Sequence, residues 1–148
     1  NYQGQAVVFS REQMTFSYRD SHLPAGMVVT RVVLRLRREE AAHVSAKLRE
    51  LVGKRKGSQP SGFPNSGSMF RNPPGDFAGR LIEATGLKGQ RIGQAQIAER
   101  HANFIVNLGG AKATHVRQLM ELAQSEVRRR FNINLIAEVK YFGEWSDS

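Results

Sequence analysis

Residues 102–131 constrain the fold more than any other part of the chain. The run ANFIVNLGG (102–110) is nearly all apolar until it ends on Gly109 and Gly110. A short apolar run closed by turn residues is the pattern of a strand covered on both faces, so a central place in a sheet is expected. A helix is then expected from about Ala113 to Phe131. Val116, Leu119, Met120, Ala123, Val127 and Phe131 fall on one of its faces, and Arg128, Arg129 and Arg130 lie in the last turn, where cations complement the helix dipole.

The remaining elements are read the same way. Met27 to Arg37 alternates Val28, Thr30, Val32, Leu34 and Leu36 with arginine-bearing positions, the period of a strand with one buried face. From Glu39 to about Val52 the spacing becomes helical, with Ala41, Val44, Leu48, Leu51 and Val52 on one side, and a packed helix is expected. The stretch GSQPSGFPNSGSMFRNPPGD (57–76) is rich in turn residues and too long for a simple connector, which marks a functional loop. Asp76 is the expected cap of a short helix carrying Phe77, Leu81 and Ile82. A short strand is expected at RIGQAQIA (91–98) and another at LIAEVKYFGEW (135–145), with Leu135, Ala137, Val139 and Tyr141 facing one way. Glu138, a carboxylate in mid-strand with Lys140 on the same face, is expected to be partly buried and paired. Strands and helices without a regular βαβ alternation indicate an α+β domain, with helices packed on a small mixed sheet.

Composition narrows the chemistry. The 148 residues include 22 Lys and Arg against 13 Asp and Glu, a net charge of +9 that favours anionic partners. There is no cysteine, which removes disulfides, thiolate catalysis and cysteine zinc sites. No apolar run approaches the ~20 residues of a membrane span, and NYQGQAVVFSREQ lacks the basic-then-apolar order of a secretory signal, so a cytoplasmic setting without membrane insertion is expected. The abrupt apolar start reads as that of a fragment. His22, His43, His101 and His115 stand at no metal-ligand spacing, and no metal is expected. Ser68 is not in a G-x-S-x-G elbow, because position 70 is Phe, and no phosphate-binding glycine motif opens a helix.

The segments YRDS (18–21), Arg55 with Gln59 and Pro60, PNSGSMFRNPPGDFAGRLIEATGLKG (64–89), RIGQAQIAERHANFIVN (91–107) and EVKYFG (138–143) occur in one order along the chain. In that order the sequence resembles the UDP-N-acetylenolpyruvoylglucosamine reductase family, in its shorter subtype. Ser66 stands where the family commonly has alanine, and Lys140 where it often has arginine. The resemblance implies that residues 1–37 are the tail of an FAD-binding domain and residues 38–148 the C-terminal substrate-binding domain. The glycine-rich flavin loop is absent from this chain, so the isolated chain is expected to be inactive.

The family chemistry assigns roles. NADPH reduces FAD, and the hydride then passes to the enolpyruvyl methylene of a UDP-sugar in peptidoglycan precursor synthesis. By this resemblance Ser68 delivers the proton, Glu138 sits beside the developing enolate, and Arg19 holds the substrate carboxylate and faces the cofactor. Arg55, Asn72, Gln59, Tyr18, Arg71 and Lys140 are the implied substrate-binding residues, and the expected partner is the protein's own FAD domain. His101 and Asn103 are read as fixing turn and strand geometry. A second reading is a basic nucleic-acid-binding module built on Arg31, Arg35, Arg37 and the Arg128–Arg130 cluster. Nucleic-acid binding with a steep salt slope would distinguish it. A third is a purely structural domain, in which Ser68 would be dispensable.

Overall fold

The computed structural model describes residues 3–143. The chain divides into two units, Asn1–Glu40 and Ala41–Ser148.

The first unit has no helix and no strand among its described residues. Its regular feature is a tight turn in which Ser17 and Asp20 exchange backbone hydrogen bonds of 2.9 and 3.2 Å. The strand expected over Met27–Arg37 is not formed. The periodicity is there, but a strand exists only where a neighbour completes its ladder, and none does so here. Both sides of the segment stay open, Val32 at 67% exposure and Val33 at 88%.

The second unit contains α1 (Ala41–Ser58), β1 (Asn65–Ser68), α2 (Ala78–Ala84), β2 (Arg91–Ile92), β3 (Ala95–Ile97), β4 (Phe104–Asn107) and α3 (Ala113–Phe131). The strands form one sheet in the order β1-β4-β3-β2. Every pairing is antiparallel, so the α+β class holds but the sheet is not mixed as expected. Short hairpin connections allow this, whereas a parallel pair needs a long crossover.

As its apolar run requires, β4 is an inner strand. Ile105 points into the main core with Met69, Phe70, Leu81, Ile82, Ile97, Leu119 and Met120. Phe104 and Val106 point the other way, into a smaller cluster with Ala98. The face of α3 that carries Leu119, Met120, Ala123 and Val127 is fully buried against this sheet. Truncating a buried leucine of this kind costs about 2–5 kcal/mol.

Three elements depart from expectation. RIGQAQIA is a hairpin, β2 and β3 pairing Arg91 with Gln96 around Gly93, because the glycine turns the chain back on itself. The segment 135–143 forms a single bridge, Phe70 with Ala137, rather than a strand. Leu135, Ala137 and Val139 do pack on the core, whereas Ile136 is 63% exposed. Glu144 and Trp145, the end of that expected strand, lie outside the described residues. Finally, α1 starts at Ala41 and runs on to Ser58, but it buries no residue. Its apolar stripe, Val44, Leu48, Leu51 and Val52, stays 43 to 60% exposed, so the packed helix expected here is not packed within this unit. The core of the unit is closed by α2 and α3, and a bond from Arg100 Nη1 to the Lys56 carbonyl, 2.8 Å, ties on the end of α1.

Candidate functional site

The stretch 57–76 is not the structureless loop its composition suggests. Its middle, Asn65–Ser68, is the edge strand β1, paired with β4 as Asn65 with Val106 and Ser68 with Phe104. The register slips between those two pairs. Gly67 takes φ +84° there, a left-handed conformation that other residues resist, and its N–H donates to Asn65 Oδ1 at 3.1 Å. The bulge places Ser68, half-buried, at the end of β1, immediately before the fully buried Met69 and Phe70.

Beyond Ser68 the chain changes partners. Met69 donates its N–H to the Asn103 carbonyl at 2.9 Å, but its own carbonyl accepts from Glu138 N–H at 2.8 Å. Arg71 N–H continues on the new side, donating to the Ile136 carbonyl at 2.9 Å. Glu138, distant in sequence, is thus hydrogen-bonded to the residue that follows Ser68, and it is half-buried. Arg71 and Lys140 are both exposed.

Asn72 Oδ1 accepts from the Ala78 N–H at 3.1 Å. It does the work expected of Asp76, because Phe77 occupies the cap position of α2 and offers no side-chain cap bond. The Asn72 Nδ2 remains available as a donor to a ligand, and its Oδ1 keeps a second lone pair. Asp76 is held instead by Arg80, which donates through Nε at 2.7 Å and through Nη2, and by the Phe77 N–H at 2.7 Å. The Arg80 hydrogen bond, then the Phe77 N–H, draw its carboxyl down to about 2.

Arg55 and Gln59 lie together at the end of α1. Arg55 Nε donates to Gln59 Oε1 at 3.1 Å, and Gln59 N–H to the Arg55 carbonyl at 2.9 Å. A guanidinium backed by an amide on an exposed helix end suits a phosphate or carboxylate. Tyr18 and Arg19 belong to the first unit, at the tip of the Ser17–Asp20 turn. Arg19 has φ +60°, uncommon for a residue with a side chain, and its guanidinium lies 5.7 Å from the Tyr18 ring centre. His22 braces the turn by its N–H to Asp20 Oδ1 and by its Nε2 with Ser17 Oγ, both at 2.8 Å.

The basic triplet of the nucleic-acid reading is engaged within the fold. Arg128 bonds Asn134 Oδ1, Arg129 pairs with Glu126 at 2.6 Å, and Arg130 bonds the Ala84 carbonyl.

Two residues of the β3–β4 connection hold elements together, Asn103 as the sequence reading of it expects and Arg100 beyond it. Arg100 ties down α1, and Asn103, 3% exposed, bonds the Phe70 backbone. Asn103 carried a signal: one amide inside an apolar run must find partners if it is buried. Arg100 carried none.

A family model described as the C-terminal domain of UDP-N-acetylenolpyruvoylglucosamine reductase matches residues 59–142. Among curated relatives, UDP-N-acetylenolpyruvoylglucosamine reductase 2 of Symbiobacterium thermophilum is 48% identical over 132 residues, 88% of this chain and 43% of the relative. The UDP-N-acetylenolpyruvoylglucosamine reductase of Moorella thermoacetica is 43% identical over 97% of this chain and 48% of its own length. The crystal structure of the reductase from Thermus caldophilus superposes with a TM-score of 0.74 at 43% identity, covering 87% of this chain and 46% of that one. The chain therefore spans less than half the length of these relatives.

Proposed function

The chain belongs to the family of UDP-N-acetylenolpyruvoylglucosamine reductase C-terminal domains, and on that premise we propose that it is the substrate-binding, proton-delivering part of a cytoplasmic FAD- and NADPH-dependent reductase. The reaction proposed is reduction of UDP-N-acetylglucosamine enolpyruvate to UDP-N-acetylmuramate, a step of peptidoglycan precursor synthesis. The observation that supports the site reading is the backbone hydrogen bond from Glu138 to Met69, the residue that follows Ser68.

The described part of residues 3–40 forms no helix and no strand, so it offers no helix N-terminus to a cofactor pyrophosphate. Arg19 is the one residue of this chain assigned to FAD, and the remaining flavin contacts are assigned to the part of the relatives' length that this chain does not span. When bound, FAD supplies the hydride for the enolpyruvyl methylene.

The work left to these residues is electrostatic and protic. Negative charge develops on the carbon next to the methylene and on its carboxylate, and Arg19 holds that carboxylate with preorganised positive charge. Ser68 Oγ–H breaks as the new C–H bond forms, and the alkoxide regains its proton from water. A hydroxyl is a weak acid, so the donation depends on nearby cations and a site closed to water. Glu138 stands beside the reacting carbons, and Lys140, two positions along, joins the substrate-binding set. Arg55, Gln59, Arg71, Tyr18 and the Nδ2 of Asn72 hold the UDP-sugar, whose diphosphate suits guanidinium and amide donors.

The test is Ser68→Ala in the full-length reductase. Turnover is expected to fall about 10²–10⁴-fold, the usual range for a lost proton donor, with the substrate KM little changed and NADPH consumption in the first half-reaction intact. A variant that turns over at the wild-type rate would remove Ser68 from the mechanism.

A further inference from the structure

The change of partner at Met69 creates a problem that one side chain solves. Up to Met69 the chain pairs with β4, and from Met69 to Arg71 it pairs with residues 136–138. The Phe70 N–H and C=O then face back toward β4, where no ladder partner meets them. Phe70 is 1% exposed, so water cannot satisfy those groups, and unpaired peptide groups at such depth are rarely tolerated. Asn103 takes both: its Oδ1 accepts from the Phe70 N–H at 3.0 Å, and its Nδ2 donates to the Phe70 carbonyl at 2.8 Å. Its own backbone carbonyl holds the Met69 N–H.

Three hydrogen bonds from one residue thus fix the two residues that follow Ser68. One of those residues, Met69, also carries the carbonyl that seats Glu138. A buried amide with both functions spent is a rigid clamp, because either partner can move only by leaving a polar group unpaired. We infer that Asn103 is a positioning residue for the reaction, setting Ser68 against Glu138 without touching substrate. This rests on the site reading of Ser68 and Glu138 proposed above.

The experiment compares Asn103→Leu, Asn103→Asp and Ser68→Ala in the full-length reductase. It reads NADPH consumption and reduction of the enolpyruvyl substrate as separate half-reactions, and amide exchange at Phe70 as a readout independent of turnover. Asn103→Leu is expected to slow the second half-reaction about tenfold to a hundredfold, the scale of an ångström-sized misplacement. The first half-reaction and the substrate KM stay near wild type, and the Phe70 amide exchanges faster. Asn103→Asp keeps the acceptor for the Phe70 N–H but sets a carboxylate against the carbonyl. Its rate is expected between the two at neutral pH and nearer wild type as acid protonates the carboxyl and restores a donor. If Asn103→Leu does not fold, Asn103→Asp carries the test. A folded Asn103 variant that reduces substrate at the wild-type rate, or slows both half-reactions alike, overturns the inference while a slow Ser68→Ala leaves the site reading standing. A wild-type Ser68→Ala overturns the site reading and this inference with it.

Discussion

Gly93 and His115 show how closely single residues are matched. Gly93 turns the β2–β3 hairpin with φ +54°, and a Cβ built on it would stand 2.2 Å from His115 Cε1. The imidazole cannot simply swing away, because its Nδ1 accepts the Lys112 N–H at 3.2 Å at the entrance of α3. Gly93→Ala is therefore expected to destabilise the chain by about 1–3 kcal/mol, as overpacking does, read from urea unfolding. Placing the same change in a His115→Ala background should recover the part due to the clash and leave the cost of a left-handed φ. Equal penalties in both backgrounds would show that the imidazole is not the obstacle. Gly67 differs in kind: nothing lies within 4 Å of where its Cβ would be, so its requirement is conformational alone. The glycine before Ser68 was thus legible in the sequence as a backbone need. The contact between Gly93 and a histidine 22 positions later was not, since only folding brings the hairpin turn to the start of α3.

Among the elements, α2 is short and depends on its ends. Asn72 satisfies an N–H of its first turn, and Asp76 with Arg80 ties the turn before it to the helix. Arg80 also lies 5.8 Å from the Phe131 ring centre, on the last turn of α3. The Asp76 carboxyl is drawn from an ordinary 3.8 to about 2 by Arg80 and the Phe77 N–H. A lowered folded-state value means that its contribution to stability is present above about 3.8 and is lost as pH falls toward 2. The stability difference between wild type and Arg80→Gln is expected to be small, as for exposed pairs, and to narrow between pH 5 and pH 2. A difference constant over that range would show that the pair does not set the shift. The boundaries of α3 were readable because its apolar face and basic last turn repeat over five turns. β1 was not, because a strand carrying a glycine bulge and flanked by prolines has the composition of a loop, and only β4 alongside makes it a strand.

At the scale of the whole molecule, the second unit has a core of its own, whereas residues 3–40 and the α1 stripe leave Val28, Val33, Leu36 and Leu48 between 60 and 88% exposed. Among the described residues no helix is long and apolar enough to cross a membrane. The 148-residue chain mixed with FAD is expected to stay colourless after gel filtration and to leave NADPH unconsumed. Recovery of a yellow protein would show that the flavin site lies within these residues.

Family membership, the α+β class, the inner position of β4 and the span of α3 were determined by the sequence alone. Each follows from residue type and local period, or from motifs in a fixed order. The extended run at 27–37 had the right period and formed no strand, because a ladder needs a neighbour that no local pattern supplies. The transfer of residues 69–71 from β4 to 136–138 was decided only in three dimensions, and so was the choice of the Phe70 backbone as the partner of the Asn103 amide. Hydrogen bonds between distant peptides have no signature in the order of side chains, and there the tertiary structure alone ties Glu138 to the residue after Ser68.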